Sequence, residues 1–96
     1  MTKIYILVFS NNLGSIETVK NCINAMPDLI MAWRYDMSNA IYFTSNKSAD
    51  ELSKAFKSRI NNNGRFIILE ITNNKQGWLP EDTWYFLDNK TLKKNN

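Results

Sequence analysis

Residues 30–45 read IMAWRYDMSNAIYFTS, two apolar stretches separated by Asp36, Met37, Ser38 and Asn39. Asp, Ser and Asn favour turns because their short polar side chains bond nearby backbone groups. The spacing predicts a β-hairpin with one strand over residues 29–35 and the other over 39–45. Alternation places Leu29, Met31, Trp33 and Tyr35 on one side of the first strand and Ile30, Ala32 and Arg34 on the other. The second strand sets Ile41 and Phe43 against Ala40, Tyr42 and Thr44.

Outward from the hairpin, each flank carries a helical pattern and then an apolar strand. On the N-terminal side, Ile16, Val19, Cys22, Ile23 and Met26 form one helical stripe, with Ser15 as N-cap and Pro27 as stop. Before it, residues 3–10 (KIYILVFS) read as a strand with both faces apolar. On the C-terminal side, Ser48 and Glu51 have capping-box spacing ahead of a Leu52, Ala55, Phe56, Ile60 stripe. Asn61-Asn62-Asn63-Gly64 stops that helix, since Asn and Gly tolerate the left-handed conformation at a helix end. Residues 65–72 (RFIILEIT) form the last strand, with Ile67, Leu69 and Ile71 opposite Phe66, Ile68 and Glu70. Pro80, Glu81 and Asp82 then suit the first turn of a short helix that folds Trp84, Tyr85 and Leu87 back on the domain. A fifth strand over residues 83–87 is the alternative.

The order strand–helix–strand–strand–helix–strand predicts an α+β, ferredoxin-like βαββαβ sandwich over residues 1–88, with a polar, basic tail over 89–96. Right-handed crossovers put two helices on one face of a four-stranded antiparallel sheet ordered four-one-three-two, with a short C-terminal helix added. The other sheet face is then open or covered by a partner. Either Tyr5, Leu7 and Phe9 or Ile4, Ile6 and Val8 must face outward, and so large an apolar patch usually marks an interface. The expectation is a homodimer packed through the sheets, using Tyr5, Leu7, Trp33, Tyr35, Tyr42, Trp78 and Trp84.

Composition narrows the role. The chain has 96 residues, 44% of them hydrophobic and 22% charged, as a globular domain does. Its longest apolar run is too short to span a bilayer, no signal-peptide pattern opens it, and the lone Cys22 excludes an internal disulfide. Together these predict a cytoplasmic protein without membrane contact. The net charge of +3 comes from the tail: without Lys90, Lys93 and Lys94, nine bases balance nine acids. A phosphate-binding strip is still conceivable from Lys47, Lys54, Lys57, Arg34, Lys93 and Lys94, with aromatic side chains stacking bases of DNA or RNA. A solvated helix face explains the same lysines. The third strand lacks the basic residue, glycine and paired aromatics of an RNA-recognition motif.

Catalytic signals are sparse. There is no histidine, hence no common general base or zinc ligand. Cys22 sits on an apolar stripe and reads as a core thiol. Glu70 and Arg34 each interrupt an apolar strand and would pair with one another, on the open face or across a dimer. Asp36 is explained by the turn. Asn11, Asn12 and Gly14 precede a helix but match no P-loop or dinucleotide fingerprint. Trp33, Trp78, Trp84, Tyr85 and Phe86 would suit a planar ligand as well as packing. No metal ligand set and no cofactor site emerge.

The element order, the apolar first strand, the hairpin centred on Trp33 and Tyr42, and the Asn61-x-x-Gly64-Arg65-Phe66-Ile67-Ile68-Leu69-Glu70-Ile71-Thr72 strand before a Gly77-Trp78 turn together resemble small bacterial SinR-like proteins. That group is similar to the ferredoxin-like subunit of the CRISPR adaptation complex, a dimer that holds DNA and in some members cuts nucleic acid. The likeness covers residues 2–87. In the nuclease family an aspartate ends the first strand and binds the metal. Phe9-Ser10-Asn11 stands there in this chain, and no carboxylate precedes Glu17. Hard divalent cations need anionic oxygen ligands. The resemblance therefore implies a dimeric fold with nucleic-acid contact but without the family's metal-dependent cleavage. The expected role is a non-catalytic homodimeric association module contacting nucleic acid or a protein, in a defence, mobile-element or regulatory setting. The alternatives are a divergent nuclease using Glu70 or Asp36, and a pure protein-interaction or inhibitor subunit.

Overall fold

A computed structural model of the chain describes residues 1–60 and 62–94. Asn61, which opens the expected helix stop, and Asn95 and Asn96 of the tail lie outside the described residues. The elements are β1 (Lys3–Phe9), a 3-10 turn at Asn11–Leu13, α1 (Ile16–Asn24), β2 (Ala32–Met37), β3 (Ala40–Ser45), α2 (Ala49–Arg59), β4 (Phe66–Ile71) and α3 (Glu81–Asn89). The four strands form one antiparallel sheet in the order β2-β3-β1-β4. This is the expected α+β, ferredoxin-like arrangement. Segment 81–87 is helical, which removes the fifth-strand alternative.

Local chemistry accounts for the helix starts. The Ser15 hydroxyl accepts from the Thr18 amide at the start of α1. At α2 the Ser48 hydroxyl accepts from the Glu51 amide at 3.1 Å while the Glu51 carboxylate reaches back to the Ser48 amide, the predicted capping box. The hairpin differs in its bounds. Leu29 and Ile30 both donate their amides to the Met26 carbonyl, continuing a helical turn, so β2 begins only at Ala32. At the other end β2 runs through Asp36 to Met37, and the turn narrows to Ser38 and Asn39, with an irregular register between Arg34 and Met37.

Register assigns the two faces. Tyr5 lies opposite Phe43 and Glu70, and Leu7 opposite Ile41 and Ile68. Tyr5, Leu7, Ile41, Phe43 and Ile68, with Phe9, Trp33 and Phe66, face α1 and α2 and form the main core with Val19, Cys22, Ile23, Leu52 and Phe56, while Glu70 is on the same side but exposed at the edge. The Tyr5 and Phe43 rings stack at 5.4 Å, and Phe56 meets Phe66 edge-on at 4.8 Å. The opposite face carries Ile4, Ile6, Val8, Ala32, Tyr42, Ile67, Leu69 and Ile71. Helix α3 lies on part of it, where Phe86 and Leu87 bury Ile4 and Tyr42. Three layers result: α1 and α2, the sheet, and α3.

Two buried phenols set an alkaline limit. Tyr5 donates its hydroxyl to the Lys47 carbonyl at 2.5 Å. Burial, with smaller contributions from the Glu70 and Glu51 charges, raises its pKa above 10.0. Burial and then the charge on Asp36 raise that of Tyr42. Between the unfolded and folded values, the native state holds protons that the unfolded chain has lost. Stability from these groups is therefore complete below about pH 10 and falls as pH rises through the raised values. The urea midpoint is expected to hold steady to about pH 9 and to decline above about pH 10. The Tyr5→Phe variant should decline less steeply, and equal slopes for the two proteins would refute the assignment to Tyr5.

Candidate association surface

The residues expected at a sheet interface do not form one surface. Tyr5 and Leu7 are buried under α1 and α2, because their register points them to the helix side. Trp33 and Tyr35 are on that same side, at its rim. The Trp33 indole N–H donates to Asn24 Oδ1 at 2.9 Å, and the Lys20 ammonium lies 5.8 Å from the Trp33 ring and 5.4 Å from that of Tyr35. Tyr42 is on the other face but is buried beneath α3, and Trp84 packs there as well. Tyr35 is partly exposed, and Trp78 is 99% exposed, beside a groove of about 370 Å³ lined by Ile6, Met37, Tyr42, Leu79 and Trp84.

The basic residues lie on more than one element. Lys54 pairs with Asp50 at 2.9 Å, and Lys57 donates to the Asn62 carbonyl at 2.6 Å. Lys47 lies just before the N-terminus of α2, its backbone occupied by Tyr5 and Ser45. Lys93 stands 3.8 Å from Asp82 of α3, and Lys94 is exposed in the tail. Arg34 is on the α3 side of β2, away from α2. Lys54 and Lys57 thus share α2, Lys47 precedes it, and Arg34 and Lys93 lie by α3.

Arg34 and Glu70 do not pair within the chain. They are on the strands at opposite edges of the sheet and on opposite faces. Instead Arg34 Nε donates to the Thr83 hydroxyl at 2.5 Å, the hydroxyl donates to Asp36 Oδ2, and Arg34 Nη2 meets Asp36 Oδ1 at 3.3 Å. This knot ties α3 to the β2 edge, and Thr83 is fully buried within it. Asp36 thus has a structural duty beyond the turn. Thr83→Val keeps the shape but removes both hydroxyl bonds and leaves Arg34 and Asp36 only their direct contact, so it is expected to cost about 1–3 kcal/mol. A urea midpoint within error of wild type would show that the knot is dispensable.

The remaining candidates also have local roles. Asn11 Oδ1 accepts from the Asn39 amide at 2.8 Å and Asn12 Oδ1 from the Ser10 hydroxyl at 2.5 Å, so these side chains brace the loop. Cys22 is buried, and burial raises its thiol pKa, which suppresses the nucleophilic thiolate. Among the described residues no group of three His, Cys, Asp or Glu side chains is close enough to hold a metal ion. Among the described residues no helix is long and apolar enough to cross a membrane.

What α3 leaves uncovered is the part of the β1–β4 outer face around Val8, Ile67 and Leu69. Val8 is 39% exposed, Ile67 52% and Leu69 48%. They are neighbours, since Val8 lies opposite Ile67 and Ile6 opposite Leu69. Ile4, Ile6 and Val8 are one of the two outward sets that alternation along β1 allows. The usable signal was side-chain size: the aromatics Tyr5, Phe9, Phe43 and Phe66 fill the deep gap between sheet and helices, and the smaller aliphatics remain outside.

The two edges of the sheet differ. β2 is irregular, carries Arg34 and Asp36, and is braced by α3. β4 is regular and mostly apolar, and among the described residues it pairs only on its β1 side. Exposed, flat, apolar edges are templates for pairing with another chain.

No protein-family model, curated protein or solved structure matches the chain. Fold and surface define its class: a small ferredoxin-like α+β domain, with one sheet face roofed by two helices and the other half-roofed by a third.

Proposed function

We propose that this chain is a non-catalytic association module that works as a homodimer through the β1–β4 side of its sheet. The observation that carries the reading is the contiguous bare patch of Val8, Ile67 and Leu69 beside the unpaired β4 edge. A lone exposed leucine is ordinary, but adjoining aliphatics on a regular strand next to a free edge are what an interface needs. The pairing of Lys54 with Asp50 and of Arg34 with Asp36 favours a protein partner over nucleic acid. The resemblance to SinR-like proteins supports a defence, mobile-element or regulatory setting.

Sedimentation velocity tests this on the whole chain, alone and with short duplex DNA. The expected result is a dimer whose mass is unaffected by DNA. In Leu69→Lys the dimer should dissociate at least about tenfold more readily, the effect of losing one interface hot spot. Its thermal melt should hardly change, since the side chain is exposed in the monomer. A monomer at every concentration would refute the reading, and salt-sensitive co-sedimentation with DNA would replace it with the nucleic-acid one.

A further inference from the structure

The β4 edge carries more information than its exposure. The Ser10 amide donates to the Arg65 carbonyl at 2.9 Å, which marks Ser10 and Arg65 as a hydrogen-bonded pair across β1 and β4. Hydrogen-bonded and non-bonded pairs alternate along an antiparallel ladder. With Val8 opposite Ile67, Ile6 opposite Leu69 and Ile4 opposite Ile71, those odd-numbered residues of β4 bond inward to β1. The backbone groups of Phe66, Ile68 and Glu70 therefore point away from the sheet. Among the described residues no hydrogen bond reaches them.

We infer that this edge pairs antiparallel with β4 of a second copy, about a two-fold axis through Ile68, giving one continuous eight-stranded sheet. The inference rests on the association reading above and specifies its geometry. An antiparallel two-fold pair must set some residue opposite itself. Centring on Ile68 lets every outward group of the strand exchange both bonds: Phe66 with the partner's Glu70, Ile68 with the partner's Ile68, and Glu70 with the partner's Phe66. Centring on Glu70 would oppose like charges, which destabilises a sheet.

Side chains support the same register. On the outer face Ile67 falls opposite the partner's Leu69, so the two bare patches join across the axis. At the start of β4 an open hollow of about 660 Å³ is lined from both sheet faces and includes Lys57, Arg65 and Phe66. The partner's Glu70 arrives opposite Phe66, at that hollow. Glu70 makes no ion pair among the described residues, and this placement gives it cationic neighbours. The carboxylate that interrupts an apolar strand thus becomes a register key.

Cysteine cross-linking of the full chain tests the register, with wild type as control for the buried Cys22. In the proposed dimer the partner Cα atoms at position 68 are about 5.5 Å apart, inside the disulfide range. Ile68→Cys is expected to form a covalent dimer on mild oxidation. Ile67→Cys should form little alone but should cross-link when mixed with Leu69→Cys. Because residue 68 points to the helix side, stacked outer faces would cross-link Val8→Cys and not Ile68→Cys. That result, with a dimer in sedimentation, would overturn the register and spare the association reading. A monomer throughout would overturn both. Ile68→Pro is an independent check: it removes an outward N–H at an edge, which the monomer tolerates, and should weaken the dimer at least about tenfold. An unweakened Ile68→Pro dimer would also overturn the proposal.

Discussion

Phe86→Ala is expected to destabilise the domain by about 3–5 kcal/mol, the usual cost of deleting a fully buried aromatic. Phe86 has no exposed surface and is the largest fully buried side chain of α3, where it meets Ile4, Tyr42 and Leu87. Helix α3 spans nine residues, too short to persist without docking. Loss of its anchor should free it from the face and join Ile4 and Tyr42 to the patch already bare at Val8, Ile67 and Leu69. Urea denaturation would read the stability loss, and binding of a hydrophobic dye under native conditions would read the uncovered surface. Tyr85→Ala is the control: Tyr85 is on the exposed side of the same helix and should shift stability by no more than about 0.5 kcal/mol. A Phe86→Ala protein with a near-normal midpoint and no dye binding would mean that α3 is held by something other than this contact.

Gly64→Ala is the second large effect, expected to cost about 3 kcal/mol or more, at the top of the overpacking range. A Cβ added at Gly64 would lie 2.5 Å from Leu13 Cβ and 2.6 Å from the Leu13 nitrogen, closer than atoms can approach. Leu13 cannot retreat, because it is buried in the main core and its carbonyl accepts from the Asn62 side chain at 2.9 Å. The cost arises from close approach of two backbones, with no positive φ involved. Gly77 provides the contrast, since nothing lies within 4 Å of a Cβ built there. Gly77→Ala should be neutral or stabilising by about 0.4–1 kcal/mol through the unfolded chain. Equal urea midpoints for the two variants would show that the loop around Leu13 yields freely.

Much of the fold was legible because it is written in local chemistry. The Ser48–Glu51 capping box, the Ser15 cap and the period-two strands act over a few residues, and all but the first hairpin strand are found close to where their spacing put them. The strand order followed from connection rules that depend on chain handedness. The start of β2 was less legible, because two amides compete for the Met26 carbonyl and hold Leu29 and Ile30 in a helical turn. The candidate site was legible only as a choice between two faces. Both faces of β1 are apolar, so alternation by itself cannot say which one the helices cover.

The sequence alone determined the element order, the ferredoxin-like topology and the lack of a histidine-based site, since these depend on composition, spacing and chain connection. Only the tertiary structure decided which residues are available to a partner. Register buried Tyr5 and Leu7 beneath two helices, and α3 covered Tyr42. Thr83 drew Arg34 and Asp36 into one knot and left Glu70 alone at the far edge. Those outcomes depend on contacts between residues some 40 or more positions apart, such as Arg34 with Thr83 at a separation of 49. Such contacts leave no periodicity for a reader of the chain, because their partners meet only once the sheet has closed and α3 has docked.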